Sequence, residues 1–444
     1  MSKTFLLGGV HPDDNKISRD AKIEEYPLPE VAYLTMSQHL GAPALPVVEK
    51  GQYVKVGELI GKAAGFISAN IHSPYSGMVK KIEPMTDLAG NKVTTIVLEV
   101  QGDEWLDTID RTPDLVKDIK LENSEIISRI ADCGVVGLGG ATFPTNVKLA
   151  PPPGKKAEVL IINGAECEPY LTSDFRMMME CSGELLVGTA IMRKVLGVPK
   201  AYIAIEDNKP EAISRLAEMA REYEGIEVVS LKKKYPQGGE KQLINAVTGR
   251  SVPSKGLPID VGAVVQNIAT AVSVYYAVQK NRPLIDNVIT VTGKSLEKQR
   301  NFRIRPGVKI ADIISYVGGI PEDCVKVISG GPMMGKAVAN LEAAIVKGSS
   351  SILFLQEEDT KRKPESNCIR CAKCVQACPM GLEPYLLNKL GRLARFDDLE
   401  AERVYDCIEC GCCSYTCPAN IPLLDTIRVS KAAVMKIIKS RPKK

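Results

Sequence analysis

The sequence predicts a multidomain α+β protein, and three observations lead there. At 444 residues the chain exceeds one ordinary domain, because a prior of roughly 150 residues per domain gives about three or four. Apolar runs alternate with helical stretches between residues 159 and 231, the pattern of a parallel α/β sheet. Nine of the 13 cysteines fall in the last 80 residues, and eight of them write C-x2-C-x2-C-x3-C-P twice. Four units are expected, over residues 1–120, 121–285, 286–356 and 357–444.

Composition narrows the function classes. Hydrophobic content of 45% and charge content of 25% are ordinary for a globular protein. A net charge of +4 argues neither for nor against nucleic acid, but the single Trp argues against a base-stacking surface. The start, "MSKTFLLGGVHPDDNK", has no apolar run long enough for an export signal. The most apolar stretch, "AVVQNIATAVSVYYAVQ" (263–279), includes Gln266, Asn267, Thr270 and Ser273. It falls short of the ~18 clean apolar residues of a membrane span and reads as a buried helix. A soluble or peripheral protein is expected. Without an export signal, dense cysteine favours metal over disulfide.

In the first unit, "VEKGQYVKVGELIGKAAGFISANIHSPYSGMVKKIEP" alternates short strands with glycine turns. It resembles the lipoyl/biotinyl hairpin sandwich, with "KGQYVKVGELIG" on one side and "IHSPYSGMVKKI" on the other. Carrier domains of that kind present a lysine at the hairpin tip. Residues 63–70, "AAGFISAN", contain none, so a barrel-sandwich hybrid used for structure or docking is expected. His11, His39 and His72 are scattered singly and read as structural histidines.

The second unit opens with "GVVGLGGATFPTNVK" (134–148), a glycine-rich loop ending at Lys148. Its backbone N–H groups suit an anion, and so does the lysine. A buried strand at 159–162 then breaks at Asn163-Gly164 into a loop bearing Glu166 and Glu168. A helix over 182–196, a strand at 201–207, a helix near 209–223 and a strand near 226–231 continue the alternation. Nucleotides bind at the strand ends of such sheets. "GLGGATFPTNVK" and "NGAECEP" resemble the flavin-binding motifs of the NADH-oxidising flavoprotein subunit of respiratory complex I. The resemblance implies that Gly137, Gly139, Gly140 and Lys148 cradle the FMN phosphate. It places Asn163 and Glu166 at the flavin, and Phe143 and Glu168 at the nicotinamide nucleotide. Two positions depart: Ala165 stands where the family has Asp, and "GGE" at 238–240 keeps only Glu240 of the family's G-E-E, so Glu240 is its remaining cofactor contact. A flavin is also required on physical grounds. A nicotinamide exchanges two electrons as hydride and an iron–sulfur cluster exchanges one, so a converter must lie between them.

The third unit, residues 287–335, reads as strand, charged turn, strand, helix, strand. It resembles the small β-grasp (SLBB-like) module that follows the flavin domain in the same flavoproteins. Its "GGPMMG" reads as a turn. Cys133, Cys167, Cys181 and Cys324 have no ligand spacing and read as buried thiols.

The last unit carries "CIRCAKCVQACP" (368–379) and "CIECGCCSYTCP" (407–418). In such runs the fourth cysteine serves the other cluster, because the chain has turned away. Cys368, Cys371, Cys374 and Cys417 are therefore expected on one [4Fe–4S] cluster, and Cys407, Cys410, Cys413 and Cys378 on a second. Pro379 and Pro418 end the ligand loops. Cys412 reads as a spare thiol pointing away. Leu386, Leu387, Leu390, Leu393 and Ala394 share one helical face, and a helix is expected after Pro422. The clusters are thus expected in a helical ferredoxin domain. The basic tail, "KIIKSRPKK", reads as a solvated face, with docking to an acidic partner or a membrane as the alternative.

Barrel-sandwich, flavoprotein α/β, β-grasp and paired clusters, in this order behind "FLLGGVHPDDNK", resemble the RnfC family of the ion-translocating Rnf electron transport complexes. The complex I flavoprotein lacks the paired cysteine run, and the related flavoprotein-like component of the sodium-pumping quinone reductase lacks the clusters. A cobalamin-reductase relative usually opens with the glycine loop. The resemblance implies ferredoxin:NAD+ oxidoreduction coupled to Na+ or H+ transport by membrane subunits. The chain would be a peripheral subunit on the cytoplasmic face of the cell inner membrane, carrying FMN and two [4Fe–4S] clusters and using NAD(H) as substrate. It implies an iron–sulfur subunit and integral membrane subunits as partners, ferredoxin indirectly, and no nucleic acid. No protein side chain is expected to be catalytic in its own right. Two further readings stay open: a non-catalytic scaffold whose clusters only relay electrons, and a cobalamin-reductase-like flavoprotein.

Overall fold

The computed structural model describes residues 2–441. Two small sheets form the N-terminal sandwich. One orders Val31–Thr35, Lys92–Val100, Gly77–Thr86 and Tyr53–Val54; the other joins Leu45–Pro46, Leu59–Lys62 and Ile71–His72. Their inner faces bury Leu34, Val54, Ile60, Ile71, Ile96 and Leu98, following the two-residue alternation of half-buried strands.

The central unit is a four-stranded parallel sheet in the order Ile226–Leu231, Lys200–Glu206, Val159–Gly164, Ala263–Asn267. Its helices include Ser182–Leu196, Pro210–Met219 and Ile268–Lys280. Residues 263–279 are therefore not one helix. Ala263–Asn267 is the edge strand, and Asn267 then caps the helix by accepting the Ala269 N–H. Val264 and Val265 are β-branched and pair in parallel with Leu160 and Ile161, which outweighs the helical apolar pattern. The two long helices touch at Gly188, where a β-carbon would lie 1.9 Å from the Ala271 carbonyl oxygen. Gly188→Ala is expected to destabilise the protein by about 1–3 kcal/mol, read as a lowered Tm.

A six-stranded mixed sheet forms the third unit, in the order Ile23–Glu25, Arg300–Ile304, Asn287–Gly293, Ser351–Gln356, Cys324–Ser329, Lys336–Ala337. The edge strand Ile23–Glu25 comes from the other end of the sequence. Its forerunner, residues 3–18, bridges further parts: Lys3 N–H donates to Ser230 O at 2.9 Å, Val10 pairs with Tyr235, and Gly9 N–H donates to Ala377 O at 2.9 Å. Gly8 and Gly9 have positive φ, and a β-carbon on Gly8 would lie 2.5 Å from the Cys378 carbonyl. The pair of glycines lets this segment run directly against the cysteine-bearing backbone.

The C-terminal unit is helical, with Pro384–Arg392, Phe396–Ala401 and Leu423–Ser440 around a small core. The apolar face expected through Ala394 ends sooner. Leu387 and Leu390 are buried, but Leu393 is 59% exposed and Ala394 turns left-handed, because the helix stops at Arg392. Residues 442–444 of the basic tail lie outside the described residues. Among the described residues, no helix is long and apolar enough to cross a membrane.

Candidate flavin and cluster sites

The glycine loop lies between two anchors. Val136 bridges to Pro144, and Gly137 N–H donates to the Phe143 carbonyl at 2.9 Å. Leu138 N–H donates to Thr270 Oγ1 at 3.0 Å, tying the loop to the helix that starts beside the edge strand. Gly139 and Gly140 are exposed at the tip. A β-carbon on Gly139 would meet the Asn267 side chain at 2.7 Å, while the space beside Gly140 is open. Phe143 is half-buried. Lys148, in the short helix Thr145–Leu149, donates to Glu240 Oε1 at 2.7 Å and to the Val265 carbonyl at 3.2 Å. Around the loop, Thr145 Oγ1, Gln237 Nε2 and Gln266 Nε2 are buried without a partner. An open backbone cradle, one lysine and unpaired buried donors fit a phosphate-bearing flavin.

The acidic loop leaves the central strand beside this cradle. Asn163 Nδ2 donates to Gly238 O at 2.9 Å, which joins it to the "GGE" turn. Glu166 takes a left-handed φ of 46° and accepts the Asp174 N–H at 2.7 Å; its second oxygen has no hydrogen bond. Burial pushes the Glu166 carboxyl up, against the pull of Lys16 and Lys209. Burial, and then the Glu166 charge, push Asp174 up to about 7. Glu168 is fully committed: its carboxylate accepts the Met334 N–H at 2.8 Å and the Met333 N–H at 3.0 Å. "GGPMMG" is thus a turn that receives Glu168, and a β-carbon on Gly331 would lie 2.1 Å from that carboxylate. The Cys167 thiol accepts the Gly238 N–H at 3.3 Å, and burial pushes its pKa up.

Sequence reasoning missed the lysines that hold this loop. Lys16 Nζ donates to the carbonyls of Leu171 at 2.6 Å, Glu166 at 2.8 Å and Glu168 at 2.9 Å. Lys209 donates to the Ala165 carbonyl at 2.8 Å. Both sit in polar stretches that read as solvated. A third lysine, Lys347, is buried and donates to Asn70 O and Gly134 O, each at 2.8 Å, where the glycine loop begins. No acid pairs with it among the described residues, and burial drives its pKa from 10.5 down to about 7. The unfolded lysine keeps its proton up to about 10.5, so between these values the native state binds fewer protons and stability rises with pH. Lys347→Met is expected to remove up to one proton's slope, about 1.4 kcal/mol per pH unit, from denaturation measured across that window.

The cysteines divide into two environments. Cys378, Cys407, Cys410 and Cys413 line one apolar cavity, with Cys412 beside them and Leu387, Leu424 and Ile427 in its walls. Cys412 does not point away from this cavity as expected; it is fully buried in its lining. Tyr235 closes the cavity toward the flavin loop. Its hydroxyl donates to Cys410 O at 2.9 Å and lies 3.4 Å from Glu168 Oε1. Cys368 and Cys371 are exposed and Cys374 and Cys417 half-buried. The first ligand loop is strapped to the end of the second, with Ser366 N–H donating to Ala419 O at 2.9 Å and Asn420 Nδ2 to Pro364 O at 3.3 Å. Among the described residues no three metal-binding side chains converge on a single ion. The four thiols instead ring a cavity with a dry wall, a donor set that suits a polynuclear cluster.

Comparison with known proteins places each unit. Family models match for the RnfC barrel sandwich hybrid domain over residues 4–103, and for the Nuo51 FMN-binding domain over 130–276. They match for the SLBB domain over 288–337 and the 4Fe-4S dicluster domain over 360–418. The chain is 47% identical over 406 residues to the RnfC-type component of the proton-translocating ferredoxin:NAD(+) oxidoreductase complex of Clostridium ljungdahlii, covering 90% of this chain and 87% of the relative. It is 41% identical over 434 residues to the corresponding component of the Na(+)-translocating ferredoxin:NAD(+) oxidoreductase complex of Acetobacterium woodii, covering 96% of each. A solved NAD+-reducing [NiFe]-hydrogenase in its H2-reduced state matches with a TM-score of 0.50 and 16% identity, over 76% of this chain and 70% of that one. That likeness concerns the fold alone. The four-part fold class expected from the sequence holds.

Proposed function

The chain belongs to the RnfC family of ion-translocating ferredoxin:NAD+ oxidoreductase complexes, and from that membership we propose that it carries electrons between NAD(H) and the rest of such a complex. It is an oxidoreductase subunit with FMN and iron–sulfur cofactors. The division at residues 120, 285 and 356 separates a docking sandwich, the flavin unit, the β-grasp unit and the cluster unit. The chain sits peripherally on the cytoplasmic face, beside an iron–sulfur subunit and integral membrane subunits that move the ion. Its two relatives name different ions, H+ and Na+, so ion choice belongs to those membrane subunits.

When bound, FMN and the clusters supply the exchange between a two-electron hydride and single electrons. The chain's own residues do the rest. Gly137, Gly139 and Gly140 offer backbone to the FMN phosphate, and Lys148 leaves Glu240 to pair with it. Asn163 and Glu166 face the flavin from the loop that Lys16 and Lys209 hold still. Phe143 lies at the nicotinamide side, where Glu168 is the remaining acid. Cys378, Cys407, Cys410 and Cys413 hold the cluster next to the flavin unit. Cys368, Cys371, Cys374 and Cys417 hold the outer one.

The observation that carries this order is Tyr235, which touches Cys410 at one end of its ring and the Glu168 loop beside it. The test is to prepare the chain anaerobically, denature it and count what is released. One FMN and about eight irons per chain are expected, and Lys148→Met is expected to weaken FMN by about 1.5–3 kcal/mol. Iron-loaded protein without flavin would overturn the dehydrogenase reading. One observation favours the second reading, a relay without nucleotide: both Glu168 oxygens are already bonded to the Met333–Met334 backbone. Under that reading NADH leaves the clusters oxidised.

A further inference from the structure

We propose that the surface around Cys368 and Cys371 is an electron-exit port that docks an acidic face of a protein carrying a one-electron centre. It rests on the electron-carrying function proposed above and identifies the chemistry of the next carrier.

From Lys361 to Lys373 the loop holds five cations, Lys361, Arg362, Lys363, Arg370 and Lys373, against one acid, Glu365. All are exposed. The neighbouring acids are used internally: Lys361 pairs with Glu357, Arg362 with Asp425, and Glu365 with Arg392. Lys363, Arg370 and Lys373 pair with no acid among the described residues. A run of charges is usually just a solvated face. Two further observations distinguish this one. It contains Cys368 and Cys371, exposed thiols assigned to the outer cluster, with Ile369 between them 69% exposed. It is also held in place, by Ser366 on Ala419 and Asn420 on Pro364, rather than free to collapse. An apolar contact ringed by unpaired cations over an electron donor is complementary to a carboxylate-rimmed redox site, which such charge steers and orients. In each encounter one electron leaves the outer cluster and reduces one centre of the partner; no bond is made and no proton moves.

Two arms test the port. In the intact membrane complex, amine acetylation followed by mass spectrometry is expected to modify Lys363 and Lys373 at least several-fold more slowly than in the isolated holo-chain. A zero-length carbodiimide is expected to join them to carboxylates of another subunit. Equal acetylation in both preparations would overturn the proposal. In the isolated holo-chain, the combined Lys363→Glu, Arg370→Glu and Lys373→Glu variant is expected to keep wild-type cluster reduction by NADH. Its reoxidation by ferricyanide at low ionic strength should fall about tenfold and then quicken with salt, the reverse of wild type. An unchanged ferricyanide rate would count against the port. So would loss of binding to phosphatidylglycerol-containing vesicles with the carbodiimide links intact, since the patch would then serve a membrane. If NADH bleaches neither protein, the function proposed above fails, while the acetylation arm still decides the port.

Discussion

Replacing Cys378 with serine is expected to remove one cluster and cut the other off from NADH. Cys378 belongs by sequence to the first run, but the chain turns at Pro379 and places its thiol in the cavity of Cys407, Cys410 and Cys413. That cavity abuts Tyr235 and therefore the flavin loop. Iron should fall from about eight to about four per chain, with FMN content unchanged. The surviving cluster should give its reduced EPR signal with dithionite but not with NADH. Cys371→Ser supplies the opposite case: the exposed cluster is lost, and NADH still reduces the inner one. If Cys371→Ser blocked NADH reduction of the remaining cluster and Cys378→Ser did not, the order of the two sites would be reversed.

Lys16→Met is expected to cost more stability than any surface change in the molecule. The lysine is buried, it satisfies three carbonyls of the Glu166–Leu171 stretch, and its ammonium lies 3.9 Å from Glu166 Oε2. Methionine matches its length but leaves three buried acceptors and a buried carboxylate uncompensated. Breaking such an arrangement costs about 3–5 kcal/mol, and a drop of about 10 °C in Tm follows for a unit of this size. FMN should also dissociate more readily, because Glu166 and Asn163 are set by the same loop. Adding Glu166→Gln removes the stranded charge, so the double variant should recover part of the Tm but not the flavin affinity. A Tm within about 2 °C of wild type would show that the loop holds itself.

The parts of this molecule that are legible in sequence are those where local spacing determines the outcome. The interleaved thiol set is readable because C-x2-C-x2-C-x3-C-P allows a short turn and little else. Helix Ser182–Leu196 and helix Leu423–Ser440 are readable because their apolar periodicity runs uninterrupted between a break at each end. Residues 263–267 read as helix but form a strand, because Val264 and Val265 fit either pattern and only pairing with Leu160 and Ile161 selects the strand. Lys16, Lys209 and Tyr235 are not legible at all. The Tyr235 hydroxyl finds its partner 175 residues away, so nothing in a local window distinguishes a buried clamp from a solvated side chain. Cys412 reads as outward-facing on the ground that four ligands suffice, whereas its position is set by Tyr235, whose carbonyl lies 3.9 Å from its sulfur.

An anaerobic NADH titration of the isolated, iron-loaded chain, followed by EPR and visible absorbance, tests most directly whether hydride and single electrons are exchanged within this one polypeptide. Substoichiometric NADH should bleach the cluster absorbance and populate reduced cluster signals, with the Cys378-set cluster responding even when the Cys371→Ser variant lacks its neighbour. Clusters that stay oxidised with excess NADH yet reduce fully with dithionite, in protein shown to retain its flavin, would contradict it.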